Sequence, residues 1–167
     1  MIRRTIAAAA LGLAALAAAP PAEAQTFRIG VREDPDILDP TLARTFVGRI
    51  VFAGICDKLF DINDKLEIVP QLATGYRWED PQSLLITLRA GVRFHDGDPM
   101  TAESVVYSLN RHLNLQGSFR RGEINSMSSV EVVDPQTVRI RLREAFAPFV
   151  SQLTDRAGMI VSPRAAE

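Results

Sequence analysis

Apolar and polar residues alternate in several short runs of this chain, and a period of two is typical of half-buried β-strands. The clearest runs cover 84–88 and 137–142, and each follows an Asp-Pro-Gln turn. Each turn is itself preceded by a shorter strand-like run, 76–79 or 130–133, so the pattern predicts two antiparallel hairpins. A third hairpin is predicted from the runs 59–61 and 66–70, which flank a turn at Asn63-Asp64. Further strands are predicted over 26–31, 92–95 and 158–161.

Apolar residues three and four positions apart predict two amphipathic helices. The first covers 45–59, with Thr45 as a suitable N-cap. The second follows Thr101, whose hydroxyl also suits an N-cap. A short third helix is entered through Pro148, whereas the polar segment 118–129 predicts an irregular connection. The buried stripe predicted for the second helix contains Val105, Val106, Leu109 and Leu113.

The first 24 residues have the three parts of a secretory signal peptide. Arg3 and Arg4 supply the charged start, residues 6–19 are apolar, and Ala22-Glu23-Ala24 has the small-x-small form of a cleavage site. The apolar part is shorter than the roughly 20 residues that span a bilayer. We therefore expect export and cleavage after Ala24. The arginine pair leaves twin-arginine export open beside the Sec route, which we favour.

Charge and cysteine content exclude several classes of protein. The chain has 19 basic and 20 acidic residues, so it lacks the excess of basic residues that is typical of nucleic-acid-binding proteins. Cys56 is the only cysteine, so no intramolecular disulfide is possible, and its apolar surroundings predict a buried, inert thiol. The residues after the leader suffice for one modest domain.

The run 90–108, AGVRFHDGDPMTAESVVYS, combines a strand end, a tight Asp-Gly turn and a capped helix. Met100 and Val105 occupy the positions of a hydrophobic staple, and Glu103 places a negative charge in the first helical turn. All these roles are structural. The run nevertheless resembles the signature segment of the family 5 extracellular solute-binding proteins, which are receptors of bacterial ABC importers for peptides and nickel.

Three further segments resemble the same family, and they follow in the family's order. They are the Leu-Asp-Pro loop at 38–40, the segment 66–74, and the hairpin 130–142 with Pro148-Phe149 after it. The resemblance implies an α/β (α+β) chain that forms the N-terminal part of a two-lobed periplasmic-binding-protein-like fold with an inserted β-rich domain.

The resemblance also implies the domain organisation. The expected parts are a signal peptide (1–24), the first strand and helix of lobe I (25–58), the inserted β-rich domain (59–150) and a return into lobe I (151–167). The second lobe has no counterpart in this sequence. We therefore expect a fragment of a longer receptor, with a genuine truncation as the alternative.

The implied function is non-catalytic capture of a peptide or peptide-like solute in the periplasm and its delivery to an inner-membrane ABC permease. We expect a monomer without cofactor that does not bind nucleic acid. The alternatives are a truncated exported β-rich interaction module and an exported hydrolase. A hydrolase requires a nucleophile with a base or a metal cluster, and the sequence offers no defensible set. Whether the solute is a peptide, glutathione, a nickel chelate or opine-like stays open.

Ligand contacts are implied only by the resemblance. The segment after the Leu-Asp-Pro loop, the connection after the signature helix, and the return into lobe I would line the cleft. The corresponding residues are Arg44, Thr45, Phe46, Phe119, Arg120 and Arg156. A guanidinium among them would suit a ligand carboxylate, because its fork matches two oxygens.

The two histidines, His95 and His112, have no spacing typical of a metal site. We expect His95 to lie beside the turn. We expect His112 to be a cation at a helix end, where the helix dipole favours positive charge. Asp39 is expected to brace the Leu-Asp-Pro turn.

Overall fold

The computed structural model describes residues 26–167, so the predicted leader and its cleavage after Ala24 lie outside the described residues. Residues 26–30 group separately from the unit Val31–Glu167. The strand predicted over 26–31 is wrong, because these residues are irregular, and Phe27 and Ile29 are exposed.

Two antiparallel sheets contain the strands of the unit Val31–Glu167. A two-stranded sheet pairs β1 (Phe60–Ile62) with β2 (Ile68–Pro70). The larger sheet has the order β3-β4-β6-β5 and contains β3 (Ala73–Asp80), β4 (Ser83–Leu88), β5 (Met127–Asp134) and β6 (Thr137–Leu142). All three predicted hairpins are therefore confirmed.

The two hairpins of the larger sheet close with the same chemistry. The Asp80 carboxylate accepts a hydrogen bond from the Gln82 amide at 2.7 Å, and Asp134 does the same for Gln136 at 2.8 Å. An aspartate that bonds the backbone two residues on favours a turn. The turns are thus encoded locally, and they set the register of the strands they join.

Five helices and one 3₁₀ turn complete the unit. They are α1 (Phe46–Ile55), α2 (Ala102–Asn114), α3 (Arg121–Ile124), α4 (Phe149–Gln152), the 3₁₀ turn Arg156–Gly158, and α5 (Pro163–Ala166). The predicted starts of α1, α2 and α4 are confirmed. α1 ends earlier than predicted, because the chain leaves the helix at Cys56 to reach β1. The segment 118–129 is less irregular than predicted, since it contains α3 and the start of β5.

The core lies between α2 and the larger sheet. α2 packs against β5 and β6, and its stripe is fully buried at Val105 and Leu109 and partly buried at Val106 and Leu113. The central strands contribute Leu84, Ile86, Val138 and Ile140, all without solvent exposure. Burial of such side chains supplies most of the driving force for folding.

The strands predicted over 92–95 and 158–161 are also wrong. Only isolated bridges occur there, between Arg93 and Pro99 and between Lys58 and Met159. Alternation of apolar residues indicates a half-buried extended segment, but a strand also requires a neighbour that bonds its backbone along its length.

Candidate functional site

The residues predicted to contact ligand just before α1 are held by Asp36. Its carboxylate accepts hydrogen bonds from the Thr45 hydroxyl at 2.9 Å and from the Arg44 amide at 3.0 Å. The Thr45 oxygen in turn accepts from the Gly48 amide at 3.1 Å, as an N-cap does. The Thr45 side chain is therefore engaged in building the start of α1.

Two aromatic rings lie open to solvent near this helix start. Phe46 is 70% exposed and Phe119 is 49% exposed. The Arg44 guanidinium lies 5.7 Å from the centroid of the Phe119 ring, which is a cation–π distance. The fold thus brings Arg44 and Phe119 together, although 75 positions separate them in the sequence.

Arg120 and Arg156 converge on the same backbone carbonyl. Both residues are buried, with exposed fractions of 3% and 5%, and each donates to the Ala43 oxygen at 3.1 Å. Arg156 also donates to the Thr45 oxygen at 3.3 Å. Two guanidinium groups are therefore packed beneath the loop that carries the other predicted residues.

These two residues belong to an arginine cluster, which also includes Arg49, Glu123 and Asp155. Salt bridges join Arg49 to Asp155 at 2.6 Å, Arg120 to Glu123 at 2.5 Å, and Arg156 to Asp155 at 4.0 Å. The three guanidinium groups exceed the two carboxylates by one positive charge. The Nε–H groups of Arg120 and Arg156 are buried and make no hydrogen bond with any of residues 26–167, and the 4.0 Å approach of Asp155 to Arg156 is to its Nε atom.

Burial shifts the pKa values within the arginine cluster. Desolvation and the neighbouring Arg120 charge lower the pKa of Arg156, and desolvation raises the pKa of Glu123. Two donors without acceptors and an excess positive charge are features that an anion would satisfy. The binding role of the six predicted residues stays a prediction.

The Leu-Asp-Pro loop is anchored to the end of α2. The Arg111 guanidinium meets the Asp39 carboxylate with both Nη atoms, at 3.0 and 2.6 Å, and Asp39 also accepts from the Thr41 amide at 2.8 Å. These bonds hold the pKa of Asp39 below its usual range, although desolvation opposes them. Sequence reasoning missed this ion pair.

His112 lies in the last turn of α2, as predicted, but the prediction that it is a cation there is wrong. The ring is fully buried, and desolvation lowers its pKa to about 4, so it is neutral at pH 7. Its Nδ1 and Nε2 atoms lie 2.9 Å from the Thr41 hydroxyl and the Met159 carbonyl.

The Asp96-Gly97 turn of the signature segment (the signature turn) is joined by hydrogen bonds to the last segment of the chain. The Ser162 hydroxyl donates to the Asp96 carboxylate at 2.5 Å, and Arg164 donates to the Asp96 carbonyl at 2.8 Å. Gly97 has a φ of 89°, a conformation that favours glycine. His95 lies at this turn, as predicted, and it is exposed.

A cavity of about 730 Å³ opens at the opposite end of α1 from the arginine cluster. Cys56 lies on its wall, half-buried rather than buried, and desolvation raises the pKa of its thiol to about 11, as expected for an inert thiol. The signature turn also lines it, which sequence reasoning missed. None of the six predicted ligand contacts does. The lining includes Leu38, Pro40, Ala53, Ile55, Leu72, Val92, Phe94, Met100, Arg111 and Ile160.

Among residues 26–167, no three His, Cys, Asp or Glu side chains are grouped so that they could hold a metal ion. Within the same residues, no helix combines the length and the apolar character needed to cross a bilayer.

The family model of the bacterial extracellular solute-binding proteins, family 5 Middle, matches residues 67–166. The chain belongs to this family. The match begins in the β1–β2 hairpin and runs through the signature turn, Arg120 and Arg156 to α5. The membership inferred from the sequence motifs is confirmed.

Relatives and solved structures agree with this assignment. The glutathione-binding protein GsiB of Salmonella choleraesuis is 34% identical over 162 residues, which are 95% of this chain and 32% of the relative. The chain thus spans about a third of the length of the curated relatives it matches.

Among solved structures, the Escherichia coli murein tripeptide binding protein MppA is 26% identical, with a TM-score of 0.74. The match covers 80% of this chain and 30% of MppA. A nickel ABC transporter protein from Bacillus halodurans is 30% identical, with a TM-score of 0.68, over 78% of this chain and 26% of that protein. The predicted α/β fold class, as part of a larger fold, is confirmed.

Proposed function

We propose that this protein captures a peptide or peptide-like solute outside the inner membrane and delivers it to an ABC permease. Family membership supports this function, and so do the similar proteins named for binding glutathione and murein tripeptide. Capture forms and breaks no covalent bond in the solute. Affinity comes from a site with a few polar anchors and an apolar surround.

The arginine cluster is the observation that carries this proposal. A carboxylate of the solute would provide the acceptor that the buried Nε–H groups of Arg120 and Arg156 lack. Charge-assisted bonds of this kind are among the strong polar interactions in proteins, and a guanidinium can offer two parallel donors. The exposed Phe46 and Phe119 rings would contact the apolar part of the solute, with Arg44 beside them.

In the absence of solute, Glu123 forms the salt bridge to Arg120 of the cluster. Its side chain is one-third exposed, and burial raises its pKa, so it is a poorly stabilised carboxylate. An incoming carboxylate would replace it as the partner of Arg120. The side chain of Glu123 is therefore a competitor of the solute in this proposal.

The proposed location is the periplasm, reached through the leader that we expect to be cleaved after Ala24. The proposed partners are the solute and the membrane-embedded permease, and the proposed state is a monomer. The division into lobe I and an inserted domain at 59–150 stays part of the proposal.

The proposal is tested by titrating the ¹⁵N-labelled protein with the tripeptide Ala-Ala-Ala and with its C-terminal amide. NMR detects weak binding, which suits a chain that spans about a third of the length of its relatives. We expect the acid to shift the Thr45 and Phe119 amides and the amide-capped peptide to bind at least about tenfold more weakly. Arg156→Gln should abolish the difference between the two peptides, and Glu123→Gln should strengthen binding of the acid.

The matched control is Arg139→Gln, which removes a partly exposed guanidinium from β6 in the larger sheet. This variant should bind like the wild type. Equal binding of the acid and the amide, or an Arg156→Gln variant that folds and still prefers the acid, would contradict the proposed site. Absence of any shift up to the solubility limit of the peptides would contradict peptide capture by this chain.

A further inference from the structure

The buried hydrogen bonds around His112 assign each proton. The Met159 carbonyl can only accept, so the Nε2 atom of the ring carries the hydrogen in the 2.9 Å bond between them. In the neutral ring, Nδ1 is then an acceptor, and the Thr41 hydroxyl donates to it at 2.9 Å. The Thr41 oxygen accepts in turn from the Arg111 guanidinium at 2.5 Å. With the ring neutral, the direction of each of these three hydrogen bonds is therefore fixed.

Thr41 connects these hydrogen bonds to the proposed solute-binding surface. The backbone carbonyl of Thr41 accepts a hydrogen bond from the Phe119 amide at 3.0 Å. Thr41 also lies three positions before Arg44, just after the Leu-Asp-Pro loop. Phe119 and Arg44 form the cation–π pair described above. One buried threonine therefore connects the His112 ring to both segments that carry the exposed aromatic surface.

We infer that His112 is a positioning residue for the proposed solute-binding surface, and that protonation of its ring releases Thr41 and loosens the Phe119 segment. The inference rests on the proposed function for the role of that surface. A proton on Nδ1 would point at the Thr41 hydroxyl, which would lose the ring as the acceptor for its own hydrogen. The hydroxyl would then have to turn toward the Asp39 carboxylate, which already accepts from the Arg111 guanidinium and the Thr41 amide.

The charges around the ring come from each packed element. Arg111 on α2 and Arg120 in the following segment disfavour a positive charge on the His112 ring, whereas Asp39 in the Leu-Asp-Pro loop favours it. The segment at Met159 presents only a carbonyl oxygen. Burial adds to the opposition of the two arginines, so the ring stays neutral until the solution is clearly acidic.

The experiment follows amide hydrogen exchange and the ring ¹⁵N resonances of the whole protein between pH 6.5 and pH 3, without solute. We expect the His112 ring to titrate near pH 4 from the Nε2–H tautomer. The protection factor of the Phe119 amide, corrected for the intrinsic exchange rate, should fall about tenfold with the same midpoint. The Leu142 amide, which donates to Gln82 at 2.8 Å in the larger sheet, should show no such step.

Two variants separate positioning from general support of the fold. His112→Gln keeps an amide donor for Met159 but removes the ring nitrogen that titrates, so Phe119 protection should show no step with pH. His95→Gln changes the other histidine of the chain, which is exposed, and should keep the wild-type profile.

Phe119 protection that stays constant while the ring titrates would overturn the inference, as would a step that survives in His112→Gln. If His112→Gln does not fold, the wild-type profile decides by itself. Because no solute is present, these outcomes are independent of the peptide titration that tests the proposed function.

Discussion

A methyl group at position 158 is the smallest change that this fold should fail to accommodate. Gly158 ends the 3₁₀ turn that carries Arg156, and its backbone lies against Leu153. A Cβ atom there would lie 1.9 Å from the Leu153 carbonyl oxygen and 2.5 Å from its carbon. Gly158→Ala therefore forces two backbone segments apart by at least about 1 Å, and no rotamer change can relieve the overlap.

The magnitude follows from the contacts that this displacement breaks. Overpacking in a dense interior costs about 1–3 kcal/mol, and here the crowded atoms are backbone. The Gly158 carbonyl accepts from the Leu59 amide at 2.8 Å, and the Leu153 carbonyl accepts from the Phe60 amide at 3.4 Å. Weakening both adds about 1 kcal/mol each. We expect a loss of about 3–5 kcal/mol from an unfolding free energy of about 5–15 kcal/mol.

The assay is urea unfolding followed by circular dichroism, with Gly54→Ala as the matched control. A Cβ at Gly54 would meet nothing within 4 Å, and the residue lies exposed in α1. Alanine should therefore stabilise that helix by about 0.5–1 kcal/mol. A loss below about 1 kcal/mol in Gly158→Ala would refute the reasoning from backbone contact.

Three further predictions concern the charged groups. The pKa of His112 is about 4 in the folded protein and about 6.5 in the unfolded chain, so the unfolded chain takes up the proton first as the pH falls. The free energy of unfolding, measured with urea, should therefore fall by about 3 kcal/mol between pH 6.5 and pH 4, and His112→Gln should not show this loss. Asp39→Asn leaves the mostly buried Arg111 without its carboxylate and should cost about 2–3 kcal/mol in the same assay; an unchanged midpoint would contradict the described ion pair. Arg139→Gln removes salt bridges on the exposed sheet face and should leave the thermal midpoint nearly unchanged, so a large drop would show that they stabilise the fold.

Elements whose determinants are local could be predicted from the sequence. Thr45 and Thr101 mark the starts of α1 and α2, because a cap is a matter of a few neighbouring residues. The turns at Asp80 and Asp134 were predictable for the same reason. The wrong strands at 26–31, 92–95 and 158–161 depended on pairing partners, which alternation within one run does not specify.

The site was less predictable, because its contacts join distant parts of the chain. Burial of His112 had a sequence signal, since the residue lies seven positions after Val105 and three after Leu109, on the same helical face. No local pattern indicated that Arg120 and Arg156 would share the Ala43 carbonyl. Family resemblance pointed to both arginines, and only the fold revealed their unmatched Nε–H groups.

The most direct test of the account observes those two Nε–H groups while solute binds. The side-chain ¹H–¹⁵N resonances of Arg120 and Arg156, assigned through Arg→Lys variants, are followed during addition of Ala-Ala-Ala. We expect both Nε protons to move downfield as they gain an acceptor, and we expect the C-terminal amide of the peptide to leave them in place. If backbone amides report binding while neither resonance moves, the arginine cluster does not hold the carboxylate and the central claim fails.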